Sequence, residues 1–101
     1  MTQEEVRAQL DKMTKTKERH MLATTAYHFL ADISSDEFDL IYVYSETDDF
    51  WVGNWVTGFG FINVLFPKTT TRDLTPQEVA EYNQLSLQLA SNAPQKLTII
   101  Q

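Results

Sequence analysis

The spacing of apolar residues changes period twice along this chain. Val6, Leu10 and Met13 recur on one helical face, and Thr2 with Glu5 forms a T-x-x-E capping box in front of them. The spacing therefore predicts a helix from Thr2. Thr14-Lys15-Thr16 weakens the pattern, since threonine is a modest helix former. A second helical spacing follows in Leu22, Ala26, Phe29, Leu30 and Ile33, and ends near Ser34-Ser35. Residues 2–33 thus read as a helical hairpin or as one bent helix.

From Phe38 the period becomes two. Phe38–Tyr44 is rich in β-branched and aromatic residues, Glu46-Thr47-Asp48-Asp49 reads as a turn, and Phe50–Val56 reads as a second strand. A tight turn sets Tyr44 opposite Trp51 and Leu40 opposite Trp55. That register sorts Phe38, Leu40, Tyr42, Tyr44, Trp51 and Trp55 onto one face, and Ile41, Val43, Phe50, Val52 and Val56 onto the other. Gly58 and Gly60 precede a third strand, Phe61–Phe66, which Pro67 ends. A loop from Lys68 to Asp73 leads to the clearest local signal. Thr75 stands at N-cap, Pro76 at N1 and Glu78 at N3, with Leu74 and Val79 as a hydrophobic staple. That helix runs through Tyr82, Leu85 and Leu89 and stops before Pro94, after which Leu97–Ile100 reads as a short strand or a frayed end. The expected fold class is α+β. It has an N-terminal helical segment or hairpin, a three-stranded antiparallel meander, and a C-terminal helix packed on the sheet.

Composition adds a strong asymmetry. The 101 residues suit a single domain over 1–101 with one core. From His20 to Pro67 there is no Lys or Arg, yet Asp32, Asp36, Glu37, Asp39, Glu46, Asp48 and Asp49 all lie there. So do all the aromatics except Tyr82. The net charge of −6 is concentrated in this stretch. Such a field repels phosphate, so direct nucleic-acid binding and binding to acidic membranes are not expected. There is no cysteine, which removes disulfides and thiolate chemistry and suits a cytoplasmic setting. The N-terminus lacks the basic-then-apolar pattern of a secretory leader, and no apolar run is long enough to span a bilayer.

The motifs that carry chemistry are sparse. His20 and His28, if helical, point about 80° apart around the axis, a poor arrangement for one metal. His28 and Asp32 stand at i, i+4 and supply two ligands at most. Neither acidic cluster has the spacing of a calcium loop, and the glycines make neither a phosphate loop nor a dinucleotide fingerprint. No catalytic residue, metal or cofactor is expected.

The leading expectation is a non-enzymatic protein, an adaptor or inhibitor, that binds a protein partner with a basic surface. Tyr42, Tyr44, Trp51 and Trp55 would supply contact area, and Glu46, Asp48 and Asp49 orientation and on-rate. A sharper form has the carboxylates imitate a phosphate row and block a nucleic-acid-binding enzyme. The rivals are a small enzyme or ligand binder built on Asn54, Asn63, His28 and Tyr27, and a homodimer joined through the sheet.

Overall fold

A computed structural model describes residues 1–30, 32–56 and 61–90. The elements in chain order are α1 (Gln3–Leu10), β1 (Thr14–Tyr27), β2 (Asp32–Glu46), β3 (Phe50–Trp55), β4 (Val64–Pro67), a 3-10 turn (Lys68–Thr70), β5 (Thr71–Asp73) and α2 (Pro76–Ala90). The class is α+β, with two helices and a five-stranded antiparallel sheet among the described residues. Gly58, Gly60 and the Leu97–Ile100 segment lie outside the described residues.

Both helix starts are where the capping signals put them. At α1 the Glu5 amide donates to Thr2 Oγ1 (3.1 Å), and the Thr2 amide donates to Glu5 Oε1 (3.0 Å). At α2 the Glu78 amide donates to Thr75 Oγ1 (3.2 Å), and the Thr75 amide to Glu78 Oε1 (2.9 Å). Arg72 adds a two-pronged contact to the Glu78 carboxylate at 2.7 and 2.9 Å. The guanidinium first, and the Thr75 amide second, push the Glu78 carboxyl down to about 2.

The second expected helix is not formed. Residues 14–27 are the long strand β1, and β2 begins at Asp32, well before Phe38. The helical spacing has a physical source in the bulges. Met21 and Ala23 face the core two residues apart, but the register then shifts between Ala23 and Thr25, so the next inward residue is Ala26. At this irregularity Thr24 alone faces residues 35–38 of β2, and the inward step along β1 becomes three, which imitates a helix turn. The residues of that apparent stripe separate in space. Ala26 and Ile33 join one core cluster and Phe29 borders another, whereas Leu30 is 72% exposed. Leu22 is buried on the other side of β1 from Met21 and Ala23.

The meander is likewise larger than three strands. β2, β3 and β4 follow one another as expected, but β1 pairs with β2 on one side and with β4 and β5 on the other. The ladders therefore run in a closed circuit through β1, β2, β3, β4 and back to β1 at Tyr27 and Leu65. The expected loop from Lys68 to Asp73 is the 3-10 turn plus β5. β4 and β5 lie along β1 as one strand interrupted by that turn, with Ala23 opposite Thr71 and Met21 opposite Asp73.

The register of the β2–β3 hairpin differs from the expected one by one residue near Trp55. Ile41, not Leu40, stands opposite Trp55, and Glu46 stands opposite Trp51. Tyr44 is the extra residue at a bulge between the Val43–Gly53 and Ser45–Val52 pairs. A one-residue slip exchanges the faces. Trp55 (6% exposed) consequently lies with Ile41, Val43, Met21, Ala23, Ala26, Val64 and Phe66 in the main core. It meets the Phe66 ring edge-on at 5.6 Å. On the outer face Val52 and Leu65 pack against Val6 of α1, ringed by Tyr27, Phe29, Tyr44 and Phe50. Each such fully buried aliphatic or aromatic side chain contributes about 1.5–3 kcal/mol by leaving water.

Gly53 on β3 lies tight against the β2 backbone. A Cβ at this position would stand 1.9 Å from the Tyr42 carbonyl oxygen, a backbone atom that cannot swing aside. Gly53→Ala should therefore destabilise the protein by about 1–3 kcal/mol or more. In urea unfolding the midpoint should fall with little change in slope, and an unchanged midpoint would show that the strands can part at this point.

Candidate acidic hairpin site

The β2–β3 turn is built by one residue. Thr47 is buried, its amide donates to the Phe50 carbonyl (2.8 Å), and its Oγ1 accepts from the Phe50 amide (3.2 Å). These two bonds close a tight turn with Asp48 and Asp49 at its apex, both exposed. The Lys68 amide donates to the Asp49 carbonyl at 2.9 Å and ties the apex to the turn after β4. The tip is thus fastened at its base and at its side.

A cavity of about 220 Å³ opens beside this tip. Gln9, Lys12 and Thr14 line it from the end of α1 and the start of β1, and Glu46, Thr47, Asp48 and Asp49 line it from the hairpin. Thr14 stands directly across from Glu46 in the β1–β2 ladder, which is why the two walls meet. Among the described residues no group of three His, Asp or Glu side chains converges as metal ligands would.

Behind the tip, the cation-free stretch acquires cations from its two borders. Arg19 brings its guanidinium carbon 4.4 Å from the Trp51 ring centre, and Lys68 brings its Nζ to 4.5 Å. Each contact is worth about 0.5–1 kcal/mol at a partly exposed site. Lys68 Nζ also donates to Glu46 Oε1 at 3.1 Å, and Arg19 Nε to Asp73 Oδ1 at 3.4 Å. Hydrogen bonds from Thr16 and then Lys68 hold the Glu46 carboxyl below the usual carboxylate range.

The seven residues singled out in the sequence thus divide. Asp48 and Asp49 are exposed at the apex, and Glu46 lines the cavity with its charge answered by Lys68. Tyr42 and Trp51 are half-buried. Tyr42 donates its hydroxyl proton to Glu18 Oε2 at 2.8 Å, and burial first, then Glu18, raise its pKa. Tyr44 turns to the outer face, where its hydroxyl donates to Asn63 Oδ1 (2.7 Å) and accepts from the Asn63 amide (2.9 Å). Burial raises the Tyr44 pKa, opposed by that amide. Trp55 is core.

Arg19, Lys68, Lys12 and Thr47 were not singled out. Thr47 before Asp48-Asp49 is a local signal for a hydroxyl-closed turn, whereas the cations arrive only through strand pairing. The rival set does not assemble around the tip. Asn63 serves Tyr44, Asn54 donates to its neighbour's Trp55 carbonyl, and Tyr27 meets Phe50 edge-on. His28 stacks flat on Phe61 at 4.4 Å, and the Asp32 once paired with it in sequence instead receives the N-terminal ammonium at 2.6 Å. His20, on β1, meets Tyr42 of β2 across the ladder, away from the Phe61 ring on which His28 stacks.

Comparisons with family models, with characterised proteins and with solved structures return no match.

Asn63 adopts φ 54°, the left-handed region, and the Tyr44 hydroxyl satisfies both its amide and its side chain. Tyr44→Phe should cost about 1–2 kcal/mol in chemical denaturation; no loss would mean that water replaces the hydroxyl. For Glu46, a folded pKa below the unfolded value stabilises the fold above the carboxylate range, and the contribution is lost as pH falls through that range. Lys68→Met should move Glu46 back toward its ordinary titration, read by carboxyl-carbon NMR.

Proposed function

We propose that this protein acts without catalysis, by binding another protein whose surface is basic, through the apex and cavity of the β2–β3 hairpin. The observation that carries the proposal is the placement of Asp48 and Asp49. They are exposed at the end of a turn that Thr47 and Lys68 hold in place, next to a cavity whose hairpin wall is Glu46, Thr47, Asp48 and Asp49. A fixed pair of carboxylates steers and orients a cationic partner without first paying to order a loop.

The division of residues refines the contact set. Asp48 and Asp49 supply the uncompensated charge, because Glu46 is already shared with Lys68. Tyr42 and Trp51 supply partly open ring surface, while Tyr44 and Trp55 hold the hairpin against Asn63 and the core. Of the carboxylates of β2, Asp32, Asp36, Glu37 and Asp39 lie from its start to its middle and Glu46 at its end beside the apex, with none from Leu40 to Ser45 between them. That spacing favours a localised steering patch over an extended imitation of a phosphate row.

The test is capture from native lysate by wild type and by the doubly reversed variant Asp48→Lys, Asp49→Lys, whose substitutions lie in solvent and leave the core intact. A specific partner should be lost by roughly tenfold or more in the variant. With the captured partner in hand, association should slow steeply as salt rises. Equal retention by both proteins, or association indifferent to salt, overturns the proposal.

A further inference from the structure

We propose that His20 is a proton-operated release for the first half of β1: uncharged, it packs on Tyr42 and keeps Thr14–His20 on β2, and charged, it frees that segment. The ladder around it is built for local opening. From Met21 to Ala23, β1 has β2 on one side and β5 on the other. From Thr14 to His20 its strand partner among the described residues is β2 alone, and the register there is broken between Lys15 and Arg19. Tyr44 bulges from the facing strand at the same level. A segment held on one side, with an interrupted ladder, opens before the rest of a sheet does.

His20 stands at the junction of the two regimes. It is buried, and its ring meets the Tyr42 ring edge-on at 5.0 Å. Its Nδ1 is sealed from solvent and has no hydrogen-bond partner among the described residues. A neutral imidazole can leave that nitrogen as an unused acceptor. An imidazolium carries N–H donors on both nitrogens, so the buried one would hold a proton and part of a charge with nothing to receive them.

The surrounding charges offer no ready counter-ion. Glu18 on β1 already accepts from the Tyr42 hydroxyl. On β5, Arg72 stands across from Leu22 and is itself a cation, and the Glu78 carboxylate of α2 is bonded to it. Tyr82 of α2 acts on Arg72 as well. Arg19 and Asp73 bond to each other. No carboxylate among the described residues forms an ion pair with His20.

Burial lowers the His20 pKa below its ordinary value. The folded value is therefore the lower one, and the released form binds more protons as pH falls below about 6.5. Between that pH and the folded value, the release equilibrium rises by up to about tenfold per pH unit. The release requires no partner and is read on the protein alone.

The experiment is amide hydrogen exchange by NMR on the full chain between about pH 7 and pH 5.5, where histidines titrate, corrected for intrinsic exchange. Protected amides in the Arg19–Val43 and His20–Tyr42 pairs should open more readily by up to about tenfold per pH unit, while those of the Val52–Leu65 pair stay unchanged. His20→Phe, which leaves His28 as the remaining imidazole, should abolish the pH dependence. A parallel rise in both ladders, or pH dependence that survives His20→Phe, overturns the proposal. Should that variant fail to fold, the ring resonances of His20 in the wild type decide: titration at or above the ordinary value of about 6.5 overturns it, and titration below supports it.

Discussion

The pairing of β1 with two neighbours is the constraint on which this molecule depends. Because β1 joins β2 on one side and β4 with β5 on the other, the sheet has to curl until its ladders meet at Tyr27 and Leu65. Curling gives the sheet an inside. Trp55, Phe66, Ile41, Val43 and Val64 fill that inside, and among the described residues every member of their cluster comes from a strand, which a flat three-stranded meander could not arrange. The close approach at Gly53, where the Tyr42 carbonyl occupies the place of a side chain, is one local cost of this curvature.

The bulges do the rest of the shaping. Three register shifts interrupt the β1–β2 and β2–β3 ladders. Each re-aims the side chains that follow it, and each lets the strand bend. The shift at Tyr44 sends that ring outward to Asn63 while Val43 stays inside. The shift after Ala23 keeps Ala26 inside as β1 turns toward its end. The first half of β1, whose register breaks between Lys15 and Arg19, has β2 alone as its strand partner among the described residues, with a buried histidine at its boundary. Closure and bulging together thus set both the hydrogen-bonded hairpin tip and the interrupted ladder beside it.

The same closure redistributes charge. Along the chain, the acidic stretch stands apart from every Lys and Arg. In space, Arg19 and Lys68, its two bordering cations, come back over Trp51, and Lys68 answers Glu46. Lys12 reaches the cavity wall beside Asp48 and Asp49. What looked like a uniform acidic and aromatic ribbon becomes a neutralised base and a charged apex. Partly exposed ion pairs of this kind contribute little to stability, so their main effect is to decide which carboxylates remain free to act at a distance.

Several features were legible in the residues themselves. The capping boxes of Thr2–Glu5 and Thr75–Glu78 are local, involving neighbours a single turn apart, and both helices start where those residues require. The alternation from Phe38 and the turn around Asp48-Asp49 mark the hairpin, and the acidic apex is exposed as its composition implies. The strand nature of residues 14–27, the one-residue register at Trp55 and the burial of that ring were decided only by tertiary structure. A bulge makes strand spacing imitate helix spacing, and a slip of one residue exchanges the faces of a sheet, so local pattern carries the wrong parity past either defect. Which cations meet which carboxylates depends in turn on that parity. Short-range hydrogen bonding is written in neighbouring residues; the inside of a curled sheet exists only once distant strands have closed upon one another.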